Sequence, residues 1–176
     1  MAQVFLGMSG GVDSSAAAVL LQEQGYAVSG LHLSLLSGLP LPADRLPDDG
    51  SDARAVASLL GLPFYDMDLS PEFRATVIDY FIREYEMGRT PNPCVFCNRR
   101  IKFGAMWDAA QKLGADYLAT GHYAKLRQDP ATGRHLLCRG ADRSKDQSYL
   151  LCRLTQEQLS RTLFPLGDLE KPAVRA

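Results

Sequence analysis

A glycine- and serine-rich segment between an apolar strand and a helix constrains the fold more than any other feature of the sequence. Residues 4–6 (VFL) form the apolar run of a buried strand, and Ser14 to Gln24 has alanines and leucines at helical spacing before Gly25. Between them lies GMSGGVDSS, residues 7–15. A strand that leads through such a loop into a helix begins a parallel α/β unit, in which ligands bind at the carboxyl ends of the strands.

Strands and helices continue to alternate along the chain. Further strands are predicted over 27–33, 63–68 and 116–120, with helices over 52–60, from Ser70 onward and over 98–113. This alternation predicts an α/β fold with a doubly wound, mostly parallel sheet that helices cover on both faces. Residues 122–128 and 134–140 flank the turn sequence DPATG and predict a small antiparallel hairpin appended to the sheet.

The remaining segments indicate how the chain is organised. Residues 34–50 are rich in Pro, Gly and Asp and are predicted to form a long loop. We expect residues 1–145 to form one nucleotide-binding domain. Residues 146–176 are expected to form a mostly helical segment that leads into a C-terminal region outside this sequence.

An apolar stripe marks the helix that begins near Ser70. Its members follow one another at i, i+4 spacing: Phe73, Val77, Phe81 and Tyr85. This period predicts a helix face turned toward the core. We expect these side chains, and Trp107, to be packed rather than to offer a surface for base stacking.

The loop over residues 7–15 has the chemistry of a phosphate site. Glycines let the backbone approach an anion closely, and the free N–H groups and dipole of a helix N-terminus attract phosphate. Ser9, Ser14 and Ser15 add hydroxyl donors. The alternative is a glycine turn that only caps a helix. The Walker loop and the dinucleotide fingerprint both differ from this segment, whereas Ser-Gly-Gly-x-Asp-Ser resembles the pyrophosphate loop of ATP pyrophosphatases, which cleave ATP between the α and β phosphates.

Two ionisable residues near this loop each have two interpretations. The Asp13 carboxylate would repel phosphate unless it caps the helix or binds Mg²⁺ shared with the phosphates. His122 follows Thr120 and Gly121 at a strand end. Its imidazole is either a hydrogen-bonded structural group or a phosphate contact.

Two closely spaced cysteines lie in a proline-rich loop, GRTPNPCVFCNRRIKF, residues 88–103. With the next helix predicted from residue 98, Cys97 lies at a helix N-terminus beside three cations, which lowers the pKa of a thiol. We therefore expect Cys97 to be more acidic than Cys94. Half of a zinc site, a redox pair or ligands of an iron–sulfur cluster are equally compatible with Cys-x-x-Cys. Cys138 and Cys152 are predicted to be packed or incidental thiols.

The charge is unevenly distributed although the formal net charge is only −1. Residues 1–97 hold 5 Lys and Arg against 12 Asp and Glu, whereas residues 98–145 hold 10 against 4. We call residues 98–145 the basic block. It is typical either of a surface that contacts a polyanion or of a solvated surface without a partner.

Four motifs together resemble one family. GMSGGVDSS, GRTPNPCVFCNRRIKF, ATGHYA and KDQSYLL occur in this order, and the tail LFPLGDLEKPAVR extends the match to the end of the chain. In this set the sequence resembles the tRNA-specific 2-thiouridylase family, whose members replace oxygen by sulfur at C2 of the wobble uridine. The resemblance implies the adenine nucleotide alpha-hydrolase-like fold of the PP-loop ATPases, with ATP and Mg²⁺ as cofactors and tRNA as partner.

The resemblance also implies roles for individual residues. Those expected at ATP are Gly7, Met8, Ser9, Gly10, Gly11, Val12, Asp13, Ser14, Leu33 and Gly121. Those expected at the target base or tRNA are Asn92, Pro93, Cys94, Lys145, Asp146 and Gln147. Cys97 matches the catalytic nucleophile. Many members carry Asp at the position of Cys94, and neither Cys138 nor Cys152 matches the family's second catalytic cysteine, which carries the persulfide and is expected beyond residue 176.

The implied activity is an ATP-dependent sulfurtransferase that adenylates the C2 oxygen of uridine and accepts sulfur from a persulfide delivered by a donor protein. Two alternatives keep the glycine loop: an amide-forming ligase similar to NAD or GMP synthetases, and a non-catalytic module that binds tRNA or a metal. No apolar run approaches the roughly 20 residues of a membrane helix. With no recognisable signal peptide either, we expect a cytoplasmic protein without a membrane partner.

Overall fold

The structure, a computed structural model, describes residues 1–39 and 49–176. Its centre is a five-stranded sheet in which every neighbouring pair is parallel. The strands are β1 (Gln3–Gly7), β2 (Ala27–Ser34), β3 (Phe64–Asp68), β4 (Tyr117–Ala119) and β7 (Thr162–Leu163), in the order β3-β2-β1-β4-β7. The predicted parallel sheet is therefore confirmed. Of the long loop predicted over 34–50, residues 40–48 lie outside the described residues.

A two-stranded antiparallel hairpin, β5 (Ala124–Gln128) and β6 (His135–Arg139), forms a second sheet and confirms the predicted hairpin. The helices are α1 (Val12–Glu23), α2 (Ser51–Leu59), α3 (Ser70–Phe73), α4 (Asp79–Glu86), α5 (Pro93–Cys97), α6 (Met106–Lys112), α7 (Gln156–Ser160) and α8 (Lys171–Arg175), with a 3-10 turn at Ser148–Leu151. A π-helical segment, Arg74–Ile78, joins α3 to α4, and a second, Asn98–Ala105, joins α5 to α6. These joined segments form two long, continuous helices.

The core lies on both faces of the sheet, because side chains alternate along each strand. Val4 and Leu6 of β1 are fully buried with α1 on one face. Phe5, between them, is buried on the other face against Ile101 and Met106 of the second long helix. Both faces are apolar and covered, as expected of a parallel sheet.

The apolar stripe of the first long helix does not stay in the core. Val77 is 3% exposed, and Phe73 packs against the same cluster, but Phe81 is 39% and Tyr85 55% exposed. The π-helical segment explains the change, since its wider turns end the 3.6-residue period on which the prediction relied. The prediction that Phe81 and Tyr85 lie in the core was wrong. Trp107 does pack against this core cluster.

The segment after residue 145 is less helical than predicted. Between α7 and α8 it contributes β7, which pairs with β4 at the edge of the sheet through Leu118 opposite Thr162. A strand of two residues is too short to leave a periodic pattern in the sequence. Leu166 behind it is fully buried in the same cluster as β1, so this segment is part of the packed α/β unit.

Candidate functional site

The strand order places a crevice between the carboxyl ends of β1 and β4. The chain leaves β1 toward β2 on one side and returns to β4 on the other, which is the topological switch point where open α/β sheets bind ligands. A cavity of about 360 Å³ opens there. Its lining comprises Gly7, Met8, Ser9, Asp13, Ser14, Leu31, His32, Leu33, Leu35, Lys102, Met106, Thr120, Gly121, His122 and Gln147.

The loop between β1 and α1 is held by its own serines. Gly11 is the N-cap of α1, and its carbonyl accepts hydrogen bonds from the hydroxyls of Ser14 and Ser15, both at 3.0 Å. The Ser14 oxygen also accepts from the Ser9 amide at 3.3 Å, and Ser14 is only 6% exposed. Two of the three hydroxyls expected to donate to phosphate therefore donate to the loop itself.

Seven of the ten residues expected at ATP line the cavity, and Gly10, Gly11 and Val12 do not. Val12 is 51% exposed, pointing away at the start of α1. Gly10 lies against α2 with φ +74°, and a Cβ there would come within 2.4 Å of the Asp52 Cβ. These three residues lie on the side of the loop away from the cavity. Gly121 packs against the loop, since a Cβ added to Gly121 would lie 3.1 Å from the Asp13 carbonyl carbon.

The Asp13 side chain does not cap α1, whereas its binding of Mg²⁺ stays a prediction. The structure shows no side-chain cap at the start of α1. Instead the Asp13 Oδ1 accepts from the Tyr123 hydroxyl at 2.8 Å and pairs with the Lys171 Nζ at 2.5 Å. Burial and the hydrogen bond to Asp13 raise the pKa of Tyr123, which keeps this phenol protonated as a donor. No local pattern in the sequence indicates this ion pair, because its partners are 158 residues apart.

His122 makes the structural hydrogen bond and also lines the cavity. Its Nδ1 lies 2.6 Å from the Thr120 Oγ1, and the residue is 8% exposed. Burial, together with the nearby Lys102 ammonium, lowers the pKa of His122 to about 3. The imidazole at the floor of the cavity is therefore neutral at physiological pH, and Lys102 supplies the positive charge at this wall.

The two cysteines of the proline-rich loop exchange the environments predicted for them. Helix α5 begins at Pro93, and its N-cap Asn92 accepts a hydrogen bond from the Val95 amide at 3.4 Å. Cys94 is therefore in the first turn and exposed, whereas Cys97 ends α5 and packs partly buried against the core. Burial raises the pKa of the Cys97 thiol more than Lys102 lowers it. Cys97 was predicted to lie at a helix N-terminus but ends α5 instead, and burial outweighs the nearby cations in its effect on the pKa of this thiol.

The residues expected at tRNA fall into two groups. Asn92, Cys94 and Lys145 are exposed, and Pro93 is half-buried beside them. Asp146 accepts from the Gly140 amide and from the amide and hydroxyl of Ser148, so its carboxylate is occupied within the fold. Gln147 accepts from the Tyr123 amide at 3.1 Å and reaches the cavity.

One protein family, described as the tRNA methyl transferase HUP domain, matches residues 2–176. The chain belongs to this family. It is 51% identical over 180 residues to the tRNA-specific 2-thiouridylase MnmA of Christiangramia forsetii, covering 99% of this chain and 46% of that protein. It is 52% identical over 178 residues to MnmA of Moorella thermoacetica, covering 96% and 48%. The chain thus spans about half the length of the curated relatives it matches, and the resemblance to this family is confirmed.

Solved structures confirm the fold class. A protein described as a predicted subunit of tRNA methyltransferase from Methanocaldococcus jannaschii has a TM-score of 0.57 at 19% identity, covering 99% of this chain and 74% of that one. The U34-tRNA thiolase NcsA of Methanococcus maripaludis, solved with its [4Fe-4S] cluster, has a TM-score of 0.58 at 20% identity, covering 99% and 54%. In the part of this chain that the structure describes, no helix is long and apolar enough to cross a membrane.

The described residues do not fit an iron–sulfur cluster by themselves. Such clusters are held by about four protein ligands, most often cysteine thiolates. Within residues 1–39 and 49–176, no three His, Cys, Asp or Glu side chains are grouped to hold a metal ion, so Cys94 and Cys97 lack further ligands there. The Asp13 Oδ1 pairs with the Lys171 ammonium, so Mg²⁺ shared with the phosphates would be held by the other carboxylate oxygen.

Several cavity residues were not predicted from the sequence. His32 is 2% exposed, with its Nδ1 3.3 Å from the Asp66 Oδ1, and it precedes Leu33 at the end of β2. The strand-end position alone could have identified His32, as it did His122. Lys102 and Met106 come from the second long helix, and nothing local in the sequence indicates that this helix reaches the cavity.

Proposed function

We propose that this chain supplies the ATP site and tRNA-facing surface for 2-thiolation of the wobble uridine of tRNA. One observation carries the proposal: the glycine loop that opens α1 meets Gly121 at the switch point of the sheet, beside a cavity. Backbone N–H groups at a helix N-terminus favour phosphate. The relatives named tRNA-specific 2-thiouridylase support the choice of substrate.

The reaction needs a good leaving group on C2 of uridine. In the first step the C2 oxygen attacks the α phosphorus of ATP, and the bond to the β-phosphate oxygen breaks to release pyrophosphate. In the second step sulfur adds at C2 and the C2–O bond breaks, so that AMP leaves with the original oxygen. The protein contributes to the first step by positioning the two reactants and by stabilising the charge that develops on the α phosphate.

The cavity residues have distinct roles in this proposal. The loop over residues 7–15 binds the phosphates, and Leu33 contacts the adenine. Lys102 supplies a positive charge at the wall of the cavity. His122 is neutral, so it adds no charge of its own there. Mg²⁺, when bound with ATP, neutralises phosphate charge.

The second step requires thiol chemistry and a partner. Cys97 is proposed as the nucleophile: once the outer sulfur of a persulfide is bonded to C2, the Cys97 thiolate attacks the inner sulfur, the S–S bond breaks, and the 2-thiouridine is released. This leaves a disulfide that a thiol reductant reduces, and a sulfur-donor protein replenishes the persulfide. Because burial raises the pKa of Cys97, its thiol reacts only once a base accepts the proton. Asn92 to Cys94 approach a target base taken out of its stack, and the basic block contacts the RNA backbone. With tRNA as substrate, the proposal places the protein in the cytoplasm.

Pyrophosphate release with different acceptors tests the proposal. The purified protein is incubated with ATP and either unmodified tRNA with uridine at the wobble position, the same tRNA with cytidine there, or a small carboxylic acid with ammonia. The proposal predicts stimulation by the uridine tRNA alone. Stimulation by the acid and ammonia would support the ligase instead, and equal stimulation by both tRNAs would contradict wobble uridine as the acceptor.

A further inference from the structure

Lys171, the first residue of α8, reaches the glycine loop from the far end of the chain. Its Nζ lies 2.5 Å from the Asp13 Oδ1, and its side chain is 17% exposed against 38% for Asp13. A largely buried lysine therefore contacts Asp13, the carboxylate of the loop that lines the cavity.

Two further contacts hold Lys171 in place, one at its backbone and one at its ammonium. The Lys171 amide donates to the Asp142 Oδ2 at 3.0 Å. Asp142 is 9% exposed, and its other oxygen accepts from the amide and hydroxyl of Ser144 and the amide of Lys145. The Lys171 Nζ also lies 5.8 Å from the centre of the Tyr123 ring, and Tyr123 donates to the same Asp13 oxygen. A lysine fixed at its backbone and at its tip is pre-organised for its partner.

An isolated carboxylate beside the phosphates of ATP would oppose binding, since like charges a few ångströms apart repel strongly where water is partly excluded. We propose that Lys171 is a positioning residue for ATP: its ammonium neutralises and orients Asp13, so that the loop accepts phosphate. This inference rests on the proposed function, because it takes ATP to be the ligand of the cavity. Lys171 itself is absent from the cavity lining, which favours an action through Asp13 over a direct phosphate contact.

A charge-specific double-mutant cycle tests the inference in the whole chain. Affinities for ATP and for adenosine, which carries no phosphate, are measured by calorimetry at low ionic strength for wild type, Lys171→Met, Asp13→Asn and the double variant. Lys125→Met is the matched control, because Lys125 is a similarly buried lysine (21% exposed) that pairs with Asp168. Circular dichroism confirms that each variant is folded.

We expect Lys171→Met to weaken ATP binding about tenfold while adenosine binding stays unchanged, since the uncompensated charge acts only on phosphate. The double variant should recover to within about twofold of wild type, because no carboxylate charge remains to be neutralised. Lys125→Met should bind ATP as wild type does.

Three results would overturn the inference. Unchanged ATP affinity in Lys171→Met would show that neutralisation is not needed. A double variant as weak as Lys171→Met would assign Lys171 to direct phosphate contact. Equal loss of ATP and adenosine binding would assign it to folding of the site. By contrast, a folded wild-type protein that binds neither ligand would refute the proposed function, and the inference with it.

Discussion

Replacing Gly10 by alanine tests whether the β1–α1 loop owes its shape to its contact with α2. Gly10 has φ +74°, and an added Cβ would lie 2.4 Å from the Asp52 Cβ and 2.8 Å from the Ala53 amide nitrogen. Real Cβ atoms do not approach other atoms so closely, so either the loop or α2 must move. Backbone atoms cannot rotate out of the way as the end of a flexible side chain can.

The loss of stability in Gly10→Ala has two parts. One is the backbone strain of any alanine with positive φ, and the other is the steric clash specific to this site. The left-handed conformation costs alanine about 1–2 kcal/mol. Loss of glycine entropy from the unfolded chain offsets about 0.4–1 kcal/mol of that. Forcing extra atoms into a packed contact adds about 1–3 kcal/mol. We therefore expect Gly10→Ala to lower the free energy of unfolding by about 2–4 kcal/mol in all.

Gly25, at the other end of the same helix, provides the control. It has φ +82°, with no atom within 4 Å of an added Cβ, so Gly25→Ala carries the strain without the steric term. Urea unfolding followed by circular dichroism measures both variants. Gly10→Ala should be less stable than Gly25→Ala by about 1–3 kcal/mol. Equal losses of stability would refute the close contact between the loop and α2.

Three further outcomes follow from the site. Alkylation with iodoacetamide at neutral pH, read out by peptide mass spectrometry, should label exposed Cys94 well before Cys97, whose pKa burial raises; faster labelling of Cys97 would contradict its burial. His122, with a pKa lowered to about 3, should stay neutral in the folded protein while the unfolded chain takes up a proton, so stability should fall as pH drops from about 6.5 toward 3, by up to about 1.4 kcal/mol per pH unit. His122→Gln should flatten that slope, and an unchanged slope would refute the low pKa. Charge reversal at exposed Arg100 or Lys145 should weaken tRNA binding and reduce its salt dependence by about one ion or more per site, whereas equal salt slopes would separate the basic block from the RNA contact.

The fold and the loop were predictable because their causes are local. A short apolar strand, a run of glycines and a helix of alanines and leucines are consecutive in the sequence, and the switch point follows from how parallel strands connect. That is why five residues of the loop line the cavity: Gly7, Met8, Ser9, Asp13 and Ser14. The hairpin was equally predictable, because its turn and its two strands are consecutive in the sequence.

The errors have causes that no local pattern contains. The exposure of Phe81 depends on a π-helical segment one turn earlier, which breaks the assumed period. The acidity of Cys97 depends on how deeply its helix is packed, because burial opposed the cations that the sequence shows. Lys171 meets Asp13 only once β7 and α8 are in place. Each of these is set by tertiary packing.

The bond of ATP that is cleaved tests the central claim most directly. The purified protein is incubated with unmodified tRNA and ATP labelled at the γ phosphate, and the labelled products are separated by thin-layer chromatography. Attack at the α phosphorus predicts labelled pyrophosphate, formed only when tRNA is present and lost when the β1–α1 loop is disrupted by Gly10→Ala. Labelled orthophosphate would mean cleavage between the β and γ phosphates, and would contradict adenylation by this site.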